Sequence, residues 1–217
     1  MVLTIENVSK KIQGVTVLDG VNLSMESGKI YGLLGRNGSG KTMLMRAICG
    51  LIRPSEGIIS IDGAQQWKDF SYPTNLGMLI ETPYFLPDFT GYDNLEMLSS
   101  IKKKITRNDI RTALEKVGLN PDDKRTTRKY SLGMRQRLGI ACAIMEHPDL
   151  LVLDEPFNGL DVDGYELIQN IILEEKRKGT LIILACHNGE ELENLSDVIY
   201  KVEQGHLSLY CRKCDSK

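Results

Sequence analysis

The stretch that decides the fold is Gly35-Arg36-Asn37-Gly38-Ser39-Gly40-Lys41-Thr42, which matches the spacing G-x-x-x-x-G-K-[ST]. In such a loop the glycines let successive backbone NH groups point inward at phosphate oxygens. Lys41 is expected to reach the outer phosphates of a nucleotide, and the Thr42 hydroxyl is placed to hold Mg²⁺. The loop alone leaves one alternative open, a glycine-rich turn between a strand and a helix.

A second run, Leu150-Leu151-Val152-Leu153-Asp154-Glu155-Pro156, supplies two carboxylates. Asp154 follows four apolar residues at the carboxyl end of a predicted strand, where open α/β sheets place their ligands. We expect Asp154 to hold Mg²⁺, directly or through water. Because side chains alternate along a strand, Glu155 is expected to face a water beyond the γ-phosphate as general base or water-orienting residue. Together with Lys41, this pair predicts a nucleotide hydrolase.

The composition sets limits on the function. The chain has 217 residues, 41% of them hydrophobic and 26% charged, and a net charge of -2, so nothing global indicates nucleic acid or an anionic surface. The length suits one domain with a subdomain. The longest apolar runs, residues 150–153 and 181–186, are far shorter than the ~18 residues that span a bilayer. No secretion signal opens the sequence, so we expect a cytoplasmic chain.

The five cysteines do not indicate a disulfide framework. Cys49, Cys142 and Cys186 lie in apolar surroundings, where we expect reduced core residues. Cys211 and Cys214 have the spacing of a metal-binding pair, but no second Cys or His pair accompanies them in what we expect to be a frayed tail. No metal site is therefore predicted there.

Short apolar runs separated by helical stretches predict an α/β fold with a mostly parallel sheet. Residues 2–8 and 15–25 alternate in polarity and predict a small antiparallel sheet, the N-terminal β-subdomain. Further strands are predicted at residues 29–34, 57–61, 76–80, 150–153, 180–185 and 198–202, and helices at residues 42–50, 134–147, 163–178 and 190–195.

Residues 91–118 have a helical, charged pattern, which predicts a helical insertion. We expect one domain over residues 1–217, with a nucleotide-binding core at about 1–82 and 148–217 and an α-helical subdomain at about 83–147. The basic runs of this insertion are most simply solvated helix faces, with docking to lipid head groups or a partner as the alternative. These runs are residues 102–104, 124–125 and 128–129.

The run Tyr130-Ser131-Leu132-Gly133-Met134-Arg135-Gln136-Arg137 resembles the signature motif of ABC-type ATPases. Asn158-Gly159-Leu160-Asp161 resembles the D-loop of that family, and His187 resembles its switch histidine. The resemblance covers essentially the whole chain, in the right order. It implies an ABC-type phosphate-loop NTPase core that binds ATP with Mg²⁺, and a catalytic role for His187.

The resemblance further implies that two copies of the chain enclose two ATP molecules. Each site then takes the phosphate loop of one copy and the signature of the other. The physics of the signature supports this, since Ser131 can cap the helix predicted at 134–147 and the backbone NH groups of 131–133 lie at its positive end. Ser131, Gly133 and Asp161 are thus expected to act across the dimer.

The run Leu79-Ile80-Glu81-Thr82-Pro83 resembles the ATPase subunits of bacterial exporters and immunity systems for bacitracin, lantibiotics and related peptides. These subunits work with separately encoded permeases, so the resemblance implies a peripheral subunit on the inner face of the cell membrane. Glu81 stands where the family usually has glutamine, and we expect its carboxylate near Mg²⁺. Ile12 stands where relatives often stack an aromatic ring on adenine, which predicts weak base recognition.

The alternative function is a soluble ABC ATPase that acts on nucleic acid or ribosomes. DNA-repair relatives insert a long coiled coil between the phosphate loop and the signature, an interval that is under ~100 residues here. Translation-associated relatives usually join two ABC domains, and we expect one in these residues. We therefore favour the energy-coupling subunit of an exporter and expect no nucleic-acid partner. Cargo, direction of transport and permease identity are not encoded in this chain.

Overall fold

A mostly parallel sheet carries the phosphate-binding loop in the computed structural model, which describes residues 1–213. The elements are, in chain order, β1 (Val2–Ile12), β2 (Val15–Glu26), β3 (Ile30–Leu34), α1 (Lys41–Ile48), β4 (Glu56–Ile61), β5 (Ala64–Gln65), β6 (Leu76–Leu79), α2 (Gly91–Lys102), α3 (Arg107–Lys116), a 3-10 turn (Thr127–Lys129), α4 (Leu132–Ile144), β7 (Leu150–Asp154), α5 (Val162–Arg177), β8 (Leu181–Cys186), α6 (Gly189–Leu195), β9 (Val198–Glu203) and β10 (His206–Arg212).

The larger sheet has six strands in the order β10-β9-β3-β8-β7-β6. All neighbouring pairs are parallel except β9 and β10. Every residue of β7 and β8 is buried, as expected for strands covered on both faces. Because β3, β8 and β7 are adjacent and parallel, their carboxyl ends meet at one edge, which confirms the predicted α/β class and places the site.

A second sheet, in the order β2-β1-β4-β5, is antiparallel. It confirms the predicted N-terminal sheet, and its first two strands run farther than predicted, to Ile12 and Glu26. They meet at Gln13 and Gly14, whose φ values are 49° and 83°, the left-handed pair that a tight hairpin requires. Buried Leu3 and Ile5 of this sheet belong to the same apolar cluster as Leu44 of α1.

The helical insertion lies between β6 and β7 and contains α2, α3 and α4. Thr90 and Thr106 each begin a helix with a capping box, a device that satisfies two free backbone NH groups. The predicted helical stretch is divided at Lys103, whose φ is 53°. α4 passes very close to β6 at Gly77. A Cβ added to Gly77 would lie 1.9 Å from the carbonyl oxygen of Ala143.

Two strands were not predicted, β5 and β10. β10 follows a turn in which Gln204 and Gly205 have positive φ values, and it pairs with β9 so that Cys211 lies opposite Ile199. Cys211 is therefore part of a strand, and the expectation of a frayed tail is wrong for it. Cys214 lies outside the described residues.

The other cysteines match their prediction. Cys49 and Cys186 are buried and Cys142 is half-buried, all three as free thiols. Burial raises the pKa of the Cys49 thiol to about 12 and that of Cys142 to about 11. Within residues 1–213, no helix is long and apolar enough to cross a membrane.

Candidate functional site

The phosphate-loop run follows β3 and leads into α1. Gly38 and Gly40 have φ values of 79° and 114°, the left-handed region that glycine enters without steric cost. A Cβ on Gly35 would lie 2.5 Å from the carbonyl oxygen of Val202. The loop path therefore favours glycine at all three positions, two of which, Gly35 and Gly40, are the glycines of the motif spacing.

The Lys41 ammonium lies inside this loop. The side chain is buried, and its Nζ donates to the carbonyl oxygens of Gly35 at 2.6 Å and Arg36 at 3.3 Å. The hydroxyl oxygen of Ser39 is buried and has no hydrogen-bond partner among residues 1–213. A buried positive charge beside an unsatisfied hydroxyl suits phosphate oxygens, which accept hydrogen bonds from both.

Thr42 and Asp154 meet at the carboxyl edge of the sheet. The Thr42 hydroxyl donates to Asp154 Oδ2 over 2.7 Å, across 112 residues of sequence. Burial raises the pKa of the Asp154 carboxyl, and the Thr42 hydrogen bond and the Lys41 charge partly oppose the rise.

These two side chains are oxygen donors of the kind Mg²⁺ prefers. The described residues contain no cluster of three or more His, Cys, Asp or Glu side chains that could hold a metal alone. Such a sparse set fits Mg²⁺, which binds through one or two protein oxygens together with substrate phosphates and water.

Glu155 follows the last residue of β7 and has a φ of 49°. The strand ends at Asp154, so the direction of Glu155 is set by this left-handed turn and not by the strand alternation that we expected. Its Oε2 lies 2.9 Å from Nδ1 of the exposed His187. Its Oε1 is buried without a hydrogen-bond partner among the described residues, which leaves one carboxylate oxygen free to accept a proton.

Glu81 borders the same cleft as Lys41, Thr42 and Asp154. Its Oε1 accepts a 2.7 Å hydrogen bond from Nη2 of Arg46 on α1, and 58% of its side chain is exposed. Sequence reasoning missed Arg46. Its position one helical turn after Thr42, on the same face of α1, could have revealed it.

The cleft has a volume of about 660 Å³, within the range of about 300–1,000 Å³ that is usual for small-molecule sites. Its apolar wall consists of Ile12, Val15 and Val17 at the hairpin of the antiparallel sheet. Ile12 is 39% exposed. The predicted base-contacting position therefore shares one cleft with the phosphate loop, Asp154 and Glu155.

Ser131, Gly133 and Asp161 do not line this cleft. Ser131 is exposed and caps α4, its Oγ accepting from the Met134 NH at 3.1 Å. Asp161 is exposed and caps α5 through a 3.0 Å bond from the Gly164 NH. The two capping side chains thus lie outside this cleft, although Leu132, the first residue of α4, borders it.

Comparison with known proteins relates this arrangement to transport proteins. Residues 18–158 match the family model described as ABC transporter. The chain is 46% identical over 201 residues to an uncharacterized ABC transporter ATP-binding protein, YybJ of Bacillus subtilis, covering 93% of this chain and 92% of that protein. Identity is 40% over 208 residues to the bacitracin transport ATP-binding protein BcrA of Enterococcus faecalis, with coverage of 95% and 68%. It is 36% over 207 residues to the lantibiotic transport ATP-binding protein SrtF of Streptococcus pyogenes, with coverage of 95% and 89%.

Solved structures share the fold. One, described as the ATP binding subunit of an ABC transporter, superposes with a TM-score of 0.86 at 26% identity, covering 97% of this chain and 90% of the other. Another, the dimeric ATP-binding cassette MJ0796 bound to ADP and Pi in a post-hydrolysis state, gives a TM-score of 0.87 at 20% identity, with coverage of 98% and 99%. Both likenesses extend over nearly the whole chain.

Proposed function

Because the chain belongs to the ABC transporter family, we propose that it binds and hydrolyses ATP to drive a separately encoded membrane permease. The observation that carries this proposal is the Thr42–Asp154 pair, whose atoms lie 2.7 Å apart at the edge of a cleft that also holds Lys41 and Glu155. These side chains supply a phosphate-binding cation, two ligands for Mg²⁺ and a carboxylate base in one place.

Each side chain has a distinct part in hydrolysis. Lys41 and the backbone NH groups of the loop hold the phosphates. Thr42 and Asp154 would hold Mg²⁺, which would neutralise charge on the phosphates. Glu155 orients the attacking water and accepts its proton at the buried Oε1, while His187 fixes the other oxygen.

A second copy of the chain completes each site. Ser131 and Asp161 are exposed and lie away from the cleft of their own chain, so their helix starts are available to another nucleotide. The α4 start offers free NH groups and the positive end of a helix dipole, which favour an anion. We therefore assign Ser131, Gly133 and Asp161 to the ATP bound by the partner subunit in a head-to-tail dimer.

The permease contacts the loop that links β6 to α2. Tyr84 is 87% exposed and Phe89 is 45% exposed in this loop, which also contains Glu81. An exposed apolar surface of this kind is typical of a protein interface. The helical subdomain at about 83–147 would then transmit the state of the nucleotide from the cleft to the permease, and the chain would work at the inner face of the membrane.

The cargo is a membrane-active peptide, moved outward. Support comes from the relatives named for bacitracin and lantibiotic transport, at 40% and 36% identity over 95% of this chain. Their names support a transporter over the alternative of an ATPase that acts on nucleic acid or ribosomes. The net charge of -2 also gives no overall electrostatic attraction to an anionic polymer such as nucleic acid.

The test identifies a permease gene adjacent to the gene for this chain and then expresses the two together in a peptide-sensitive bacterium. We expect co-purification of the two proteins and increased resistance to bacitracin or a lantibiotic. A chain carrying Lys41→Ala should still co-purify but give no resistance. If ribosomes or nucleic acid stimulate the ATPase while the permease does not, the transporter assignment is wrong.

A further inference from the structure

We propose that Gln136 is a positioning residue that holds Glu155 in its left-handed turn and joins that turn to helix α4. This inference rests on the proposed function, in which Glu155 orients the attacking water. It adds a residue that acts through the backbone of Glu155.

The first observation is the conformation of Glu155. Its φ of 49° lies in the left-handed region, which is unfavourable for a residue with a side chain and persists only where surrounding contacts enforce it. On its amino side, the Glu155 NH donates to the carbonyl oxygen of Ala185 in β8 at 2.8 Å. The turn is thus fixed to the sheet at one end and needs a second contact at the other.

Gln136 supplies that second contact. Its Nε2 donates to the carbonyl oxygen of Glu155 at 2.9 Å, and only 5% of the residue is exposed. The same carbonyl accepts from the Asn158 NH at 3.2 Å, a longer bond within the turn. Because a carbonyl only accepts, the amide must present its NH₂ group here. A side chain without a donor would leave the Glu155 carbonyl with only the longer bond from Asn158.

The second observation is where Gln136 comes from. It lies one helical turn after Leu132 on α4, and both line the cleft. Leu132 packs against Gly159, since its Cδ2 would lie 2.6 Å from a Cβ added there. Helix α4 therefore contacts the segment after β7 at two residues, Glu155 through Gln136 and Gly159 through Leu132.

These contacts of α4 with Glu155 and Gly159 connect the two nucleotide sites of the proposed dimer. The start of α4 faces the nucleotide of the partner subunit, whereas Glu155 serves the nucleotide of its own chain. A displacement of α4 would be transmitted through the Gln136 amide to the Glu155 backbone. Gln136 thus makes the position of Glu155 depend on whether the signature residues at the start of α4 contact the nucleotide of the partner subunit.

The experiment compares Gln136→Met, which keeps length and apolar packing but removes the donor, with Gln66→Met as the matched control. Gln66 is 3% exposed and its Nε2 donates to the carbonyl oxygen of Ile48 at 3.2 Å, outside the cleft. We expect Gln136→Met to lower kcat about 10- to 100-fold, as small misplacements of a reacting group do, and to change ATP affinity less than about twofold. Gln66→Met should leave both values near wild type.

A readout independent of hydrolysis is amide hydrogen exchange of the chain without nucleotide. The amides of residues 155–160 should exchange faster in Gln136→Met and at the wild-type rate in Gln66→Met. If Gln136→Met does not fold, Gln136→Leu replaces it, since that side chain is also apolar and has no donor. Wild-type kcat and unchanged exchange in a folded variant would overturn the proposal.

A double-mutant cycle with Glu155→Gln separates this inference from the proposed function. If Gln136 acts through the Glu155 carboxylate, adding Gln136→Met to Glu155→Gln should lower the residual hydrolysis no further. Independent, multiplying effects would overturn the positioning role while leaving the function intact. Wild-type hydrolysis by Glu155→Gln alone would overturn the assignment of Glu155 and this inference with it.

Discussion

Oε2 of Glu155 lies 2.9 Å from Nδ1 of His187, while Oε1 of the same carboxylate is buried without a hydrogen-bond partner among residues 1–213. A buried carboxylate oxygen that lacks a partner is costly. It is also suited to accept a hydrogen bond from a water that enters the cleft with the nucleotide. The contact with His187 directs one oxygen away and leaves the other for this purpose.

Glu155→Gln should keep nucleotide binding and lose most hydrolysis. An amide cannot accept the proton of the water, and general-base contributions amount to about 10² to 10⁴-fold. With hydrolysis stopped, Mg²⁺-ATP should hold the chain as a dimer. ATPase assays and size-exclusion chromatography test both points, and a chain that elutes only as a monomer under these conditions would count against the ATP-enclosing dimer.

Glu81→Gln should raise the Mg²⁺ concentration needed for half-maximal ATPase activity and reduce stimulation by the permease more than basal nucleotide affinity. A carboxylate binds a hard cation better than an amide does. Glu81 now pairs with Arg46 at 2.7 Å, but 58% of the Glu81 side chain is exposed. Exposed pairs are worth only about 0–1 kcal/mol, so a bound cation can compete with Arg46 for the carboxylate.

Arg46→Met provides the opposing variant, since it frees Glu81 and should lower the Mg²⁺ requirement. The measurement is a Mg²⁺ titration of ATPase activity in membranes with and without the permease. Identical titrations and equal stimulation for wild type and Glu81→Gln would reduce Glu81 to a surface residue that borders the cleft.

The local signals in the sequence predict much of the fold. Apolar runs without alternation predict buried parallel strands such as β7 and β8, and these are buried at every residue. The Gly-rich spacing predicts the loop between β3 and α1 for the steric reasons now visible at Gly35, Gly38 and Gly40. β10 escaped prediction because nearly all of its residues are exposed, which leaves no alternation in polarity to indicate a strand, and because it forms by pairing with β9.

Contacts between distant segments are what the sequence alone does not reveal. Nothing in the neighbourhood of Gln136 indicates that its side chain bonds to Glu155. The helical spacing places Arg46 on the same face of α1 as Thr42, but it does not indicate that Arg46 pairs with Glu81. The expectation that side-chain alternation along β7 sets the direction of Glu155 is also wrong. The backbone changes to a left-handed turn at Glu155, and hydrogen bonds from β8 and α4 hold that turn. Residue types predicted the candidate site, and packing sets its orientation.

Ile12→Tyr should tighten nucleotide binding, and the wild-type chain should distinguish ATP from GTP poorly. Ile12 borders the cleft beside Val15 and Val17, so the base meets an aliphatic wall. Stacking on an aromatic ring is worth about 1–3 kcal/mol per base, which sets the expected gain. Ile58→Tyr is the matched control, since Ile58 has nearly the same exposure, 40% against 39%, and does not line this cleft. A hundredfold preference of the wild type for ATP over GTP in a binding titration would show that another residue reads the base.

Asp154→Asn should abolish Mg²⁺-dependent hydrolysis and, in the chain without nucleotide or metal, raise the melting temperature at pH 7. Burial raises the pKa of the Asp154 carboxyl above its ordinary value, so the folded chain binds this proton more tightly than the unfolded chain does. Stability therefore falls as pH rises from about 3.9, the ordinary aspartate value, to the raised value, and the loss persists at higher pH. The uncharged side-chain amide of the variant would avoid the cost of burying an ionised carboxylate, and its oxygen can still accept the Thr42 hydrogen bond. The higher melting temperature of the variant should accordingly disappear below about pH 4, where the wild-type carboxyl is protonated in the folded and the unfolded chain.

Thermal unfolding in EDTA across this pH range is the measurement. Asp163→Asn, at an exposed position of α5, is a control that should show no gain in melting temperature. A lower melting temperature for Asp154→Asn at pH 7 would mean that Lys41 and Thr42 stabilise the ionised carboxylate by more than its burial costs.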